Sequence, residues 1–244
     1  MSSVDISLVL LLLLICAGGG FVQRVSGFGL GIFVMLFLPH LLPSHTMAAT
    51  MAGMLSIFTS SYNAIKYCKQ VSYRTVLPLI LSAFAVIPIA VYFSAVVPAR
   101  LFQILLGVVL IGLSIYFLFF NSRLHLKPTI RNAVFAGVLG GTLNGLFSTG
   151  GPPIVLYLTH AMTDKLTYFA TIQFYFALSN LGSTVIRAAN GLLTPLLLFY
   201  AAIGIVGAFI GNWIGNRVFE KLNGERLKQI IYIGMIASGV SMLV

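Results

Sequence analysis

The sequence predicts an all-α polytopic membrane protein made of two inverted repeats of five apolar segments each, with broken or re-entrant helices at segments one and two of each repeat. Three observations carry this. First, 59% of the 244 residues are hydrophobic and 7% are charged, and the mean hydropathy is +1.04, whereas a soluble domain carries roughly 25% charged residues. Second, the apolar residues fall into ten runs separated by short basic loops. Third, the order of broken, polar and plain segments occurs twice along the chain.

The runs cover 4–22, 27–43, 45–65, 76–97, 101–120, 132–147, 152–162, 167–188, 195–218 and 226–244. The first is expected to stay in the mature protein, because Asp5 and no basic residue precedes its apolar core, unlike a cleaved signal peptide. A full crossing needs about 20 residues, and the segments around "QRVSGFGLG" and "FSTGGPP" are short by that measure. The repeat is visible where "RLFQILLGVVLIGLSI" from Arg100 aligns with "RLKQIIYIGMIASGVS" from Arg226. It continues in "SIFTSSYNAIK" from Ser56 against "ALSNLGSTVIR" from Ala177, and in "VSGFGLG" from Val25 against "STGGPPI" from Ser148. Boundaries follow as 1–122 for the first transmembrane repeat, 123–131 for a basic cytoplasmic linker and 132–244 for the second repeat.

The net charge of +10 would suggest nucleic acid in a soluble chain, but the cations sit in loops between apolar runs. That is the pattern of cytoplasmic membrane loops. Placing Lys66, Lys69 and Arg74 inside agrees with placing Arg123, Lys127 and Arg131 inside, and with Arg217, Lys221, Arg226 and Lys228. One topology satisfies all three loops. It puts both termini outside a multi-pass inner membrane and makes the two halves inverted. Cys16, in an apolar run, and Cys68, in a basic loop, are expected to be free thiols, and no spacing in the chain resembles a metal or cofactor site.

The two breaks carry the functional argument. "STGGPPIVLYL" reads as a helix start, because proline is tolerated in a first turn and Ser148 or Thr149 offers a capping oxygen. "SGFGLGIFVML" offers Ser26 as the equivalent cap, with Gly27 and Gly29 allowing close backbone approach. Two helix N-termini entering from opposite faces would direct free N–H groups and positive dipole ends at the bilayer middle, which is an anion site. Inverted repeats of discontinuous helices meeting near the midplane are a transporter pattern. The competing explanation is that the glycines only allow tight packing and the prolines only kink a helix.

Polar stripes follow each break. Gln173, Asn180, Thr184 and Arg187 share one helical face, and Ser56, Thr59, Asn63 and Lys66 form its counterpart. Such stripes must face protein or water; interhelical bonding accounts for some members, and Lys66 and Arg187 have the option of snorkelling. The expected binding set is therefore Gln23, Arg24, Ser26, Gly27, Gly29, Asn63, Ser148, Thr149, Gly150, Gly151, Gln173, Asn180 and Arg187. Gly207, Gly211 and Gly215, four apart, read as a close helix contact. Asp5, Asp164, Glu220 and Glu225 all lie outside the deep apolar runs, so the buried carboxylate of a proton relay is missing and coupled protons would travel on the substrate.

The chain resembles the TauE/SafE family of sulfite exporters, also called the toluene sulfonate uptake permease family. The resemblance rests on "FVQRVSGFGLGIFVMLFLP" from Phe21, the polar helix before "YCKQVSYRTVLP", "PARLFQILLGVVLIGLSIYFL", and "GVLGGTLNGLFSTGGPP". It implies a bacterial inner-membrane carrier for small sulfur-containing anions such as sulfite or organosulfonates. The first motif departs from the family's triple glycine, reading Gly27-Phe28-Gly29 behind Gln23 and Arg24. The expected partners are a small anionic substrate and membrane lipid, with a homo-oligomer left open; the expected mechanism is secondary transport by alternating access. Two alternatives stay beside it. One is an intramembrane serine hydrolase using Ser26 or Ser148 with His160, although His160 lies about two to three turns beyond the helix start that presents Ser148. The other is a scaffold protein, which would not account for inward-facing polar stripes.

Overall fold

The computed structural model describes residues 6–120 and 127–218, together with Ile233, Ile236, Ala237, Gly239, Val240, Met242 and Leu243 of the last segment. The described residues are helical with short connections and contain no strand. The repeat match at Arg226, the acidic residues Asp5, Glu220 and Glu225, and linker residues 123–126 lie outside them.

The helices are α1 (Ile6–Ser26), α2 (Leu30–Met35), α3 (Leu38–Leu41), α4 (His45–Lys66), α5 (Tyr73–Val96), α6 (Ala99–Ile115), α7 (Ile130–Phe147), α8 (Gly151–Ala161), α9 (Lys165–Ala189) and α10 (Pro195–Val218). A π-helical turn, Tyr116–Phe120, extends α6. Four stretches are long and apolar enough to cross a membrane: Ile6–Ser26, Tyr73–Val96, Ala99–Phe119 and Pro195–Arg217. Their outward residues, among them Ile89, Tyr92 and Trp213, are apolar and exposed, as a lipid-facing surface requires. The helix starts are fixed locally: Ser44, Thr129 and Asp164 accept hydrogen bonds from the first turns of α4, α7 and α9. The Asp164 carboxyl, held by the Thr167 backbone N–H at 2.7 Å, lies below its ordinary pKa.

One expectation is corrected. The breaks do not shorten the first segment of each half: α1 has 21 residues and α7 has 18. Each break falls after that helix, so the second segment alone is short. α8 has 11 residues, about 16 Å at 1.5 Å per residue, or half of a ~30 Å hydrocarbon core. In the first half α2 and α3 divide the same role across residues 30–41.

The packing is reciprocal. α1 of the first half packs on α10 of the second, α7 of the second packs on α5 of the first, and α4 and α9 pack on each other. Both cross-half contacts are made through glycine. A Cβ on Gly207 would lie 2.5 Å from Leu13 O, and one on Gly211 would overlap Ala17 O, so the Gly207–Gly211 stripe is the close helix contact read from its spacing. Gly137, Gly141 and Gly145 of α7 do the same against Leu79, Ala83 and Ala90 of α5. The free thiols stand as expected, Cys16 buried and Cys68 exposed.

Candidate functional site

The break after α1 depends on backbone that only glycine adopts readily. Gly27 and Gly29 have φ of 81° and 99°. The break after α7 turns on Ser148, at φ 55°, the one described non-glycine residue with positive φ. The two breaks meet in the interior: Gly31, in the first turn of α2, lies so close to Ser148 O that it has no room for a Cβ. Around this contact is a narrow pocket lined by Gln23, Gly29, Ser56, Asn144, the Ser148–Gly151 stretch and Asn180. Its free volume is about 20 Å³, little more than a water molecule occupies. As it stands the pocket is too tight for a polyatomic anion.

Helix starts leave backbone N–H groups without intrahelical acceptors. Here the two starts differ. α2 leaves the N–H groups of its first turn, Leu30 to Ile32, whereas Pro152 and Pro153 have no N–H and restrict the donors of α8 to Gly150 and Gly151. The hydroxyl caps expected at Ser26 and at Ser148 or Thr149 are not made, since neither α2 nor α8 has a side-chain cap bond. Ser26 Oγ turns back to donate to Val22 O at 2.7 Å and also contacts Phe28 O. Ser148 Oγ donates to Ala49 O at 2.6 Å, tying the second break to α4. With both hydroxyls held by backbone carbonyls, and His160 Nδ1 placed 2.8 Å from Leu156 O in its own helix, no serine–histidine pair forms.

Gln23 and Gln173 hold the first break. Gln23 Nε2 donates to Ser60 Oγ (2.9 Å) and Gln173 Oε1 (3.1 Å), and its Oε1 accepts from Thr59 Oγ1 (2.8 Å). Gln173 Nε2 donates to Gly27 O at 2.8 Å. This clasp joins α1, α4 and α9 beside the cavity. Arg187 has the corresponding part in the second half. It is 0% exposed and donates to Gly145 O at 2.7 Å and Thr50 Oγ1 at 3.2 Å, so it caps the last turn of α7 just before the break. Lys66, at the end of the α4 stripe, is exposed.

Three polar side chains lining the cavity keep buried atoms with no hydrogen-bond partner: Asn144 Nδ2, Thr149 Oγ1 and Asn180 Oδ1. Each residue is 2% exposed. Leaving such groups unpaired in an apolar interior costs about 1–3 kcal/mol apiece, which a bound ligand would offset. Ser56 belongs to the α4 stripe read from sequence though not to the expected binding set, whereas Asn144 and Gly31 belong to neither. Asn144 carried a usable signal, an amide within an apolar run; Gly31 carried none beyond its proximity to the break.

Of the expected set, Gln23, Gly29, Ser148, Thr149, Gly150, Gly151 and Asn180 line the cavity. Ser26 and Gly27 line a separate space with Tyr67 and Phe169, Gln173 holds the cavity residue Gln23, and Arg187 supports the α7 end. Arg24 and Asn63 face a different space, a groove between α1, α4 and α10, and do not enter the cavity lining. None of the described cavity-lining residues is acidic.

The profile of the sulfite exporter TauE/SafE family matches residues 11–242. A curated protein of Cupriavidus necator named probable sulfite/organosulfonate exporter TauE is 24% identical over 239 residues, covering 92% of this chain and 90% of its own. No solved structure matches the chain. A match to the family profile over nearly its whole length, on an all-helical chain with membrane-length apolar helices, places the chain in the sulfite exporter TauE/SafE family, whose members are membrane transporters and not enzymes.

Proposed function

We propose that the chain is a secondary carrier for small sulfur oxyanions, sulfite or organosulfonate, which bind where the α2 and α8 starts meet and cross by alternating access. The observation that carries this is the set of unpartnered buried groups in a cavity without a described carboxylate: Asn144 Nδ2 and the Thr149 hydroxyl supply donors, beside the Gly150 and Gly151 N–H groups and the positive end of α8. Asn180 Oδ1 adds an acceptor, which suits an oxyanion bearing a hydrogen such as bisulfite, and lets a proton travel with the substrate. The name of the Cupriavidus necator relative supports the same substrate class.

Alternating access needs two arrangements of comparable energy. The reciprocal contacts of α1 with α10 and of α7 with α5 support an inverted repeat about the central α4–α9 pair, and its basic loops give the cytoplasmic side at Lys66 and Lys69. The cavity of about 20 Å³ is then a constricted arrangement, narrowed by the Gln23 clasp toward the Lys66 side and by the Ser148–Ala49 and Arg187 bonds toward the other.

The test is flux of labelled sulfite and methanesulfonate into proteoliposomes. Wild type should exchange at least one of them, and Thr149→Val and Asn144→Leu should lose most of the exchange while staying monodisperse. Full exchange by both variants would move the substrate path away from this cavity.

A further inference from the structure

A second, larger space with a mixed polar and apolar lining lies beside the first. The groove between α1, α4 and α10 has a volume of about 330 Å³ and is lined by Arg24, Tyr62, Asn63, Lys66, Asn212 and Asn216, with Phe209 and Trp213 forming its apolar part. Consecutive residues of α1 face the two spaces, Gln23 the cavity and Arg24 the groove. The Gln23–Thr59–Ser60 clasp stands at that junction, and Asn63, one turn beyond Thr59, donates to Thr59 O at 3.0 Å. From the structure we infer that this groove is a second oxyanion site, in which the transported anion waits next to the narrow cavity; the inference rests on the carrier reading above.

Two observations point to a ligand. Asn212 is 8% exposed on α10 and makes no side-chain hydrogen bond among the described residues. Its amide opens onto the groove, so any partner it takes comes from what the groove holds. Second, the groove gathers cations and amide donors: Arg24 Nε donates to Asn216 Oδ1 at 3.1 Å, which occupies the Asn216 oxygen and leaves its NH2 as the remaining bonding group. Lys66 and Arg24 add two positive charges at the lining, and Arg217, stacked 3.9 Å over Trp213, a third close by. A sulfur oxyanion has a size and charge that fit this space, whereas the central cavity as it stands admits nothing larger than water. The phosphate of an anionic lipid offers the same oxygens, so the lipid must be varied in the test.

Labelled sulfite binding to the full chain in phosphatidylcholine nanodiscs should give two ions per chain. Lys66→Gln, an exposed change, should weaken one of them about threefold, as expected for an exposed charge; Asn212→Leu should remove it, about tenfold or more in affinity. In proteoliposomes both variants should raise KM with kcat unchanged, and Lys66→Arg should restore it. One bound ion, lost in Asn144→Asp and unaffected by Lys66→Gln or Asn212→Leu, overturns the groove site and leaves the carrier reading. One bound ion that survives Asn144→Asp and is lost in Asn212→Leu keeps the groove and removes the central site instead. Loss of the groove ion when phosphatidylglycerol is added, with that lipid retained by wild type and not by Asn212→Leu, assigns the groove to a headgroup and overturns the proposal.

Discussion

The break after α1 and the break after α7 occupy matching places, and they are held in different ways. The first turns on two glycines and is fastened by neutral amides, Gln23 and Gln173, which bridge three helices. The second turns on Ser148 in a left-handed conformation, is stiffened by Pro152 and Pro153, and is fastened by a buried guanidinium on the α7 carbonyls. The backbone donors differ too: Pro152 and Pro153 remove two N–H groups from the first turn of α8, and the first turn of α2 lacks none. Both breaks reverse the chain at the end of a long helix, and each uses its own chemistry to fasten that reversal. A neutral clasp can open at the cost of a few ordinary hydrogen bonds, whereas releasing Arg187 would strand both a buried charge and several carbonyls.

The largest effect should come from forcing the breaks apart. Gly31→Val adds a branched side chain where Ser148 O leaves no room for a Cβ. The expected outcome is loss of monodisperse protein, or destabilisation of about 3 kcal/mol or more, read by thermal unfolding in detergent. Gly150→Val belongs to the same class, because its Cβ would run into Gly140 O; it tests the fold and not anion binding.

Next comes the contrast between the two cations. Arg187→Leu orphans Gly145 O and leaves Thr50 without its donor, at about 1–3 kcal/mol for each buried group left unpaired. Lys66→Gln, at an exposed position, should change stability by no more than about 0.5 kcal/mol. Equal effects at the two sites, measured by the same thermal unfolding, would remove the difference between the halves.

Smaller again is the contrast of the fasteners. Gln173→Leu removes the donor to Gly27 O and the acceptor for Gln23, so it should cost about 1–3 kcal/mol. Ser148→Ala removes a single bond to Ala49 O and should cost about 0.5–1.5 kcal/mol. Ser26→Ala should be the mildest, since the Ser26 hydroxyl stays within its own turn. If Ser26→Ala matched Gln173→Leu, the first break would be fastened locally and not by the clasp.

Segment limits were legible from the chain because apolar runs and glycine–proline strings act locally: the expected 45–65 and 195–218 became α4, His45–Lys66, and α10, Pro195–Val218. The inward direction of the stripes was legible too, since a helical period identifies a face, and Asn63, Gln173, Asn180 and Thr184 are all buried. Partners were not. Gln23 meets Gln173 across 150 residues of sequence, and nothing local distinguishes that bond from one to a ligand. Ser26 has the residue type and position of a cap, yet its hydroxyl is taken by Val22 O one turn back. Arg187 and Lys66 each end a polar stripe, and only the nearby α7 carbonyls decide that one is buried. Asn212, next to the Gly211 contact, shares a groove with Asn63, and no spacing pattern in the chain pairs the two.

The most direct measurement is sulfite binding to purified wild type and Asn144→Asp, with thermal unfolding as the check on folding. The change is nearly isosteric and places a carboxylate where the unpartnered Nδ2 now lies. One of the two bound ions should disappear while the unfolding temperature without ligand stays within a few degrees of wild type. Undiminished sulfite stoichiometry and affinity in a folded Asn144→Asp protein would show that the anion does not bind where the two breaks meet.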